Sequence, residues 1–213
     1  MEREMFKKLR QLGVVPVVAV DTPDHGLRLC EALLNGGLPV AEITFRTEAA
    51  EATIRAAAKA FPEIALGAGT VLTVDQLKQA MDAGAKFAVA PGCNPTVVSA
   101  AVAHSFPFAP GVCTPSDVER ALELGVKTLK FFPAEASGGI TMLKALIGPY
   151  GHVGLEFCPT GGIKTSNMLD YLALPQVPFV GGTWIAKRDL ISGEAWEEIT
   201  DNARDAVARA AAR

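Results

Sequence analysis

The chain has 213 residues, enough for one domain with a large core, and 49% hydrophobic against 20% charged residues excludes a disordered polypeptide. A formal net charge of −3 argues against a nucleic-acid-binding surface. Cys30, Cys93, Cys113 and Cys158 form no CxxC and fit neither a disulfide framework nor a zinc site, so they read as reduced thiols of a cytoplasmic protein.

The opening stretch, MEREMFKKLRQLG, is charged and amphipathic and lacks a signal peptide's apolar core; Glu2–Leu12 reads as a leading helix. No apolar run is long enough to span a membrane. Short β-rich runs then alternate with amphipathic or Ala-rich stretches. Val14–Val20 is the first run, and Thr22-Pro23 after it places a capping side chain before a first-turn proline. Pro39–Phe45 follows, then an Ala-rich helix from Thr47-Glu48 toward Phe61, closed by Pro62. Ile64–Val71 leads into Thr73–Gln76 (TVDQ), which has the form of a capping box. Phe87–Pro91 and Phe108–Val112 precede the cap-and-proline pairs Asn94-Pro95 and Thr114-Pro115. Thr128–Pro133, Gly154–Pro159 and Pro178–Trp184 are the last runs, and Glu194–Arg213 reads as a closing helix. Gly36-Gly37, Gly84 and Gly125 fit helix ends.

The run starts recur at about 20 to 25 residues, the size of one strand-plus-helix step. Eight such steps predict an α/β fold, a closed (β/α)8 (TIM) barrel forming a single domain over residues 1–213. An open doubly wound sheet is the rival, but the first strand leads into AVDTPDHG rather than a Gly-rich dinucleotide turn.

In a barrel the chemistry sits where strands end. Lys130 lies between Leu129 and the Phe131-Phe132 pair, in a run stopped by Pro133. Burial penalises an ammonium group and favours the neutral amine, a nucleophile that forms Schiff bases with ketones. The alternative is a lysine whose stem is covered while its head reaches water. Lys127, of opposite strand parity, reads as solvated. Glu42 lies within the apolar PVAEIT, so it is either a proton-transfer group or half of a structural ion pair with an arginine. Arg46 ends the same strand, as a clamp for a carboxylate or as a surface residue. Thr70, after Gly69, is a turn hydroxyl or a substrate donor.

Gly161-Gly162 and Gly181-Gly182-Thr183 follow the seventh and eighth runs, where barrels frequently hold phosphate. Either these glycines let backbone N–H groups reach an anion, with Thr183 adding a hydroxyl, or they only make tight turns. Lys164 is a solvated lysine or an aid to that anion. His25, His104 and His152 do not cluster, which supports neither a metal site nor a His-based nucleophile. Cys158 reads as a small core residue, and Trp184 and Trp196 as core or interface aromatics.

Taken together, VVPVVAV, ITFRTE, GAGTVL, APG, KFFPAE, FCPTGGI and GGTW resemble the 2-keto-3-deoxy-6-phosphogluconate (KDPG) aldolase family, which overlaps with 4-hydroxy-2-oxoglutarate (KHG) aldolase. The resemblance runs nearly end to end. It implies a class I aldolase on a (β/α)8 barrel, a homotrimer with no metal and no cofactor. It implies Lys130 as the Schiff-base lysine, Glu42 as acid/base, and Arg46 assisted by Thr70 as the holder of the pyruvyl carboxylate. Pro91 and Phe132 would line the pyruvyl pocket with Thr160 beside it, and Gly161, Gly162 and Thr183 would take the phosphate. The family pattern ends in GGSW; Thr183 keeps the hydroxyl and adds a methyl, which leaves phosphate affinity and substrate range open.

The implied reaction is cleavage of KDPG to pyruvate and glyceraldehyde 3-phosphate, with no nucleic-acid or membrane partner. Three rivals stand beside it: an aldolase for unphosphorylated 4-hydroxy-2-oxo acids, another phosphosugar barrel enzyme, and an inactive or redesigned trimeric scaffold. The intact set of Glu42, Arg46, Thr70 and Lys130 argues against decay, since a scaffold needs none of them.

Overall fold

The computed structural model describes residues 2–212. Its order is that of the sequence reading. Helix α1 (Glu2–Leu12) precedes β1 (Val14–Val18), α2 (Pro23–Asn35), β2 (Val40–Thr44), α3 (Ala50–Ala60) and β3 (Ala65–Gly69). Then come α4 (Val74–Ala83), β4 (Phe87–Val89), α5 (Pro95–Ala103), β5 (Phe108–Ala109), β6 (Gly111–Val112) and α6 (Pro115–Glu123). The last third holds β7 (Thr128–Phe131), α7 (Gly139–Tyr150), β8 (Glu156–Pro159), α8 (Met168–Leu172), β9 (Val180–Gly182), α9 (Arg188–Ser192) and α10 (Trp196–Ala211).

Every pairing between these strands is parallel. They form a six-stranded sheet in the order β5-β4-β3-β2-β1-β9 and a three-stranded sheet in the order β6-β7-β8. The α/β class with a parallel sheet therefore holds. The single run expected over Phe108–Val112 is instead two short strands, one in each sheet. Pro110 between them has no N–H to donate, although its carbonyl accepts from the Lys130 backbone N–H at 2.8 Å. An isolated parallel bridge links Thr160 to Gly181.

β1, β2 and β3 are buried at every position. Helices α1, α3, α5, α6, α8 and α10 pack against the strands, as a buried parallel sheet requires. The core is mostly aliphatic, with Phe87, Phe108, Phe131 and Phe157 among its largest fully buried side chains. A polar residue in such a strand is buried by its address, and this places Glu42 and Lys130 inside the protein.

The helix starts follow the capping chemistry read from the sequence. Thr22, Asn94 and Thr114 each accept from a first-turn N–H, with proline at the next position. Three readings change. Thr73 caps α4, but Gln76 reaches the N–H of Leu72 rather than that of Thr73, so TVDQ is not a reciprocal box. The reciprocal box is at Thr114 and Asp117. The helix expected from Thr47 begins at Ala50, because the Thr47 hydroxyl donates to the Val20 carbonyl at 2.6 Å and ties that segment to the end of β1. The closing helix, α10, starts at Trp196 rather than Glu194.

Candidate active site

Glu42 on β2 and Lys130 on β7 meet across the interior. The Lys130 Nζ donates to Glu42 Oε1 at 3.1 Å. Glu42 is 3% and Lys130 5% exposed. Two ions removed from water in this way are costly unless each satisfies the other. The pair resolves both sequence readings at once: the Lys130 head does not reach solvent, and Glu42 pairs with a lysine, not an arginine. The Phe132 ring lies 5.6 Å from the ammonium, within reach of a cation–π attraction.

The room for the Glu42 carboxylate is made by Gly69. A methyl group at that position would sit 2.2 Å from Glu42 Oε1. The next residue, Thr70, takes a left-handed backbone (φ 56°). This is rare for a β-branched side chain and costs about 1–3 kcal/mol.

Strand alternation puts Glu42 and Thr44 on one face. The Thr44 hydroxyl donates to the Val18 carbonyl at 2.8 Å and accepts from Arg46 Nε at 3.0 Å. Arg46 is thus aimed by a buried hydroxyl. Among the described residues its guanidinium makes no ion pair, which leaves its other N–H groups for an anion.

These groups open into one cavity of about 250 Å³. Every site residue expected from the sequence lines it: Glu42, Arg46, Thr70, Pro91, Lys130 and Phe132, together with Thr160, Gly161, Gly162 and Thr183. Gly182, part of the second Gly-Gly turn read from the sequence, lines it too, and Val17, Thr44 and Ile163 also line it and were not foreseen. Thr44 carried a signal, its parity with Glu42; Val17 and Ile163 are ordinary apolar residues with none. Lys164 is exposed and lies outside the lining.

The glycines have structural reasons of their own. Gly161 and Gly162 take φ of 98° and 82°, which L side chains rarely adopt. A Cβ at Gly181 would lie 2.4 Å from Thr160 Oγ1, and one at Gly182 would lie 1.6 Å from the Trp184 ring. Turn geometry and close packing thus demand glycine at these four positions before any ligand is considered.

Cys158 lies beneath this floor. Burial pushes its thiol up to about 12, against the smaller opposing effects of the Lys130 ammonium and the Thr160 hydroxyl. It is a core residue, as its sequence context indicated. Among the described residues no group of His, Cys, Asp and Glu side chains could hold a metal ion, and no helix is long and apolar enough to cross a membrane.

With one basic and one acidic group buried side by side, and an arginine aimed into the same cavity, the site can bind a carboxylate and move protons beside an amine. Comparison with known proteins points the same way. The family model for KDPG and KHG aldolase matches residues 5–202. The 2-dehydro-3-deoxy-phosphogluconate aldolase of Haemophilus influenzae is 46% identical over 205 residues, 96% of each chain. The crystal structure of KDPG aldolase from Legionella pneumophila, with pyruvate captured at low pH as a covalent carbinolamine intermediate, superposes with a TM-score of 0.88. It is 39% identical and covers 92% of this chain and 94% of that one. The Zymomonas mobilis 2-keto-3-deoxy-6-phosphogluconate aldolase with 3-phosphoglycerate also gives 0.88, at 36% identity, covering 98% of this chain and 97% of that one.

Proposed function

The chain belongs to the KDPG and KHG aldolase family, and from that premise we propose that it cleaves KDPG to pyruvate and glyceraldehyde 3-phosphate through a Schiff base on Lys130. The observation that carries this reading is the buried Lys130–Glu42 pair, 3.1 Å apart, in a cavity that also holds Arg46. An amine and a carboxyl at hydrogen-bond distance are what a carbonyl condensation needs.

The roles follow from position. Lys130 Nζ passes a proton to Glu42 and attacks C2 of the substrate, forming a carbinolamine; Glu42 returns the proton to the C2 hydroxyl, which leaves as water and gives the iminium. Glu42, across the pair, takes the C4 hydroxyl proton directly or through a water as the C3–C4 bond breaks. The bond's electrons pass into the iminium, which becomes an enamine while the aldehyde leaves. Protonation at C3 and addition of water then release pyruvate and the free amine. One carboxyl group serves both directions of proton transfer. Arg46, aimed by Thr44, holds the C1 carboxylate with Thr70. Pro91, Phe132 and Thr160 shape the pyruvyl end, and Gly161, Gly162 and Thr183 face the phosphate end. Remote contacts of that kind orient the substrate and lower the barrier through positioning.

A second reading, 4-hydroxy-2-oxoglutarate as the preferred substrate, is favoured by one observation: Thr183 carries an extra methyl where the family pattern has serine.

We also read the two sheets as one closed (β/α)8 barrel. β5 and β6 count as a single strand interrupted at Pro110, and the Thr160–Gly181 bridge joins β8 to β9. A crystal structure with either seam standing open would remove this reading.

Borohydride trapping in the presence of pyruvate tests the chemistry. The expected result is a mass increase of one reduced pyruvyl group, mapped to the Lys130 peptide and absent in Lys130→Ala. A folded wild-type protein that gives no adduct would falsify the Schiff-base assignment.

A further inference from the structure

A second cavity of about 260 Å³ lies beside the first, and the two share Val17, Arg46 and Thr183 in their linings. Three cationic side chains reach it: Arg46, Lys187 and Arg188. Thr47 and Thr183 add hydroxyls, and no carboxylate lines it. Arg188 is neutralised by Asp21, with contacts of 2.6 and 3.2 Å. Lys187 is different. Among the described residues its ammonium makes no ion pair and no hydrogen bond. Unpaired cations facing a concave, partly desolvated space raise the local concentration of anions there.

The position of this cavity gives the charge a meaning. Thr183 is common to both spaces, so an anionic group carried on the far end of a substrate held at Lys130 has the second cavity as its continuation. The four glycines nearby are already accounted for by turn geometry and packing. Backbone donors there do not by themselves explain a preference for a dianion over a neutral end or a single carboxylate. A lysine does: its compact, strongly hydrated charge suits a phosphate at a water-exposed mouth.

We propose that Lys187 is a specificity-determining residue, reaching from the second cavity to the terminal phosphate of the substrate and selecting phosphorylated over unphosphorylated 2-oxo acids. This rests on the aldolase reading and goes beyond it by assigning the discrimination to one side chain outside the reaction cavity.

The test is steady-state kinetics with KDPG and with 4-hydroxy-2-oxoglutarate on the wild type, Lys187→Ala, Lys187→Arg and Lys78→Ala. Lys78, exposed on α4, controls for the loss of one positive charge anywhere on the molecule. KM for KDPG should rise about tenfold in Lys187→Ala, the scale of one charge-assisted contact partly screened by water. In the same variant kcat should hold, the unphosphorylated acid should be unaffected, and arginine should restore most of the loss. An unchanged KM for KDPG, or an equal rise for both acids, overturns the proposal. So does the same effect in Lys78→Ala. If the wild type cleaves neither acid, it is the aldolase reading that fails, and the subsite is then judged by inorganic phosphate titrated against tryptophan fluorescence, since Trp184 adjoins Thr183. Saturation in the wild type that is lost in Lys187→Ala upholds the subsite; identical curves, or none, reject it.

Discussion

The two ends of the cavity are built on opposite plans. At the reacting end Glu42 and Lys130 sit on strands, nearly sealed from water, and each neutralises the other. At the mouth Thr183 and Lys187 sit on loops after strands and are exposed. The buried end holds its geometry because the interior leaves no alternative. The open end can change residues at little cost to the fold. On the proposed reading, chemistry and substrate choice are carried by regions that answer to different forces, packing at one end and screened charge at the other.

The strongest way to break that contrast is to alter the sealed end without changing its shape. Glu42→Gln keeps the volume and one acceptor but cannot shuttle a proton. Turnover should fall about 10²- to 10⁴-fold, the range for one general acid–base group, and the melting temperature should fall too, because the Lys130 ammonium loses its counter-charge. Near-normal kcat in a stopped assay of aldehyde release would move the acid–base role elsewhere.

A smaller effect is expected from Gly69→Ala, which touches neither reacting group covalently. The added methyl would meet Glu42 Oε1 at 2.2 Å, so the carboxylate must shift or the strand must move. Overpacking of this kind costs about 1–3 kcal/mol. Chemical denaturation should show that loss together with a lower kcat and an unchanged KM for pyruvate analogues. If stability fell while kcat held, the placement of Glu42 would matter less than its burial suggests.

The smallest effect lies outside both ends of the cavity, at a helix start. Asp117 at the start of α6 is partly desolvated, which raises its pKa. Bonds from the Thr114 hydroxyl and from the Cys113 and Thr114 N–H groups outweigh this, so its carboxyl is held below the ordinary carboxylate value. A lowered folded-state pKa stabilises the fold above the unfolded value and loses that contribution as pH falls through the folded one. Asp117→Ala should therefore lower the melting temperature by a few degrees at pH 7, the scale of a lost cap in a chain of this size. The gap should narrow as pH falls below the ordinary carboxylate value and through the lower folded one. A gap that did not depend on pH would mean that the capping geometry, not the charge, is what counts.

The sequence revealed the parts that obey a local rule. Apolar runs, first-turn prolines and capping hydroxyls set the order of strands and helices, and every expected site residue does line one cavity. What stayed hidden depended on contacts between distant segments. That Glu42 would pair with Lys130, 88 positions away, could not be read from either strand alone. That Gly69 exists for Glu42, and Gly181 for Thr160, needs both partners in view. Pro110 was visible, but its consequence, a run divided between two sheets, depends on the hydrogen bonds of the neighbours. Lys187 drew no reading from the sequence, because nothing in its immediate surroundings there marks a cavity.

The Lys130–Glu42 contact joins a strand of the six-stranded sheet to a strand of the three-stranded sheet. Its length therefore records how those two sheets are docked. A chain in which each sheet had formed separately would have its secondary structure but no reacting pair. On the proposed reading, a substrate that bridges the two strands acts as a clamp against their separation. Ligand concentration and folding equilibrium become coupled variables, so heat resistance measured with and without substrate reports on binding as directly as a titration does.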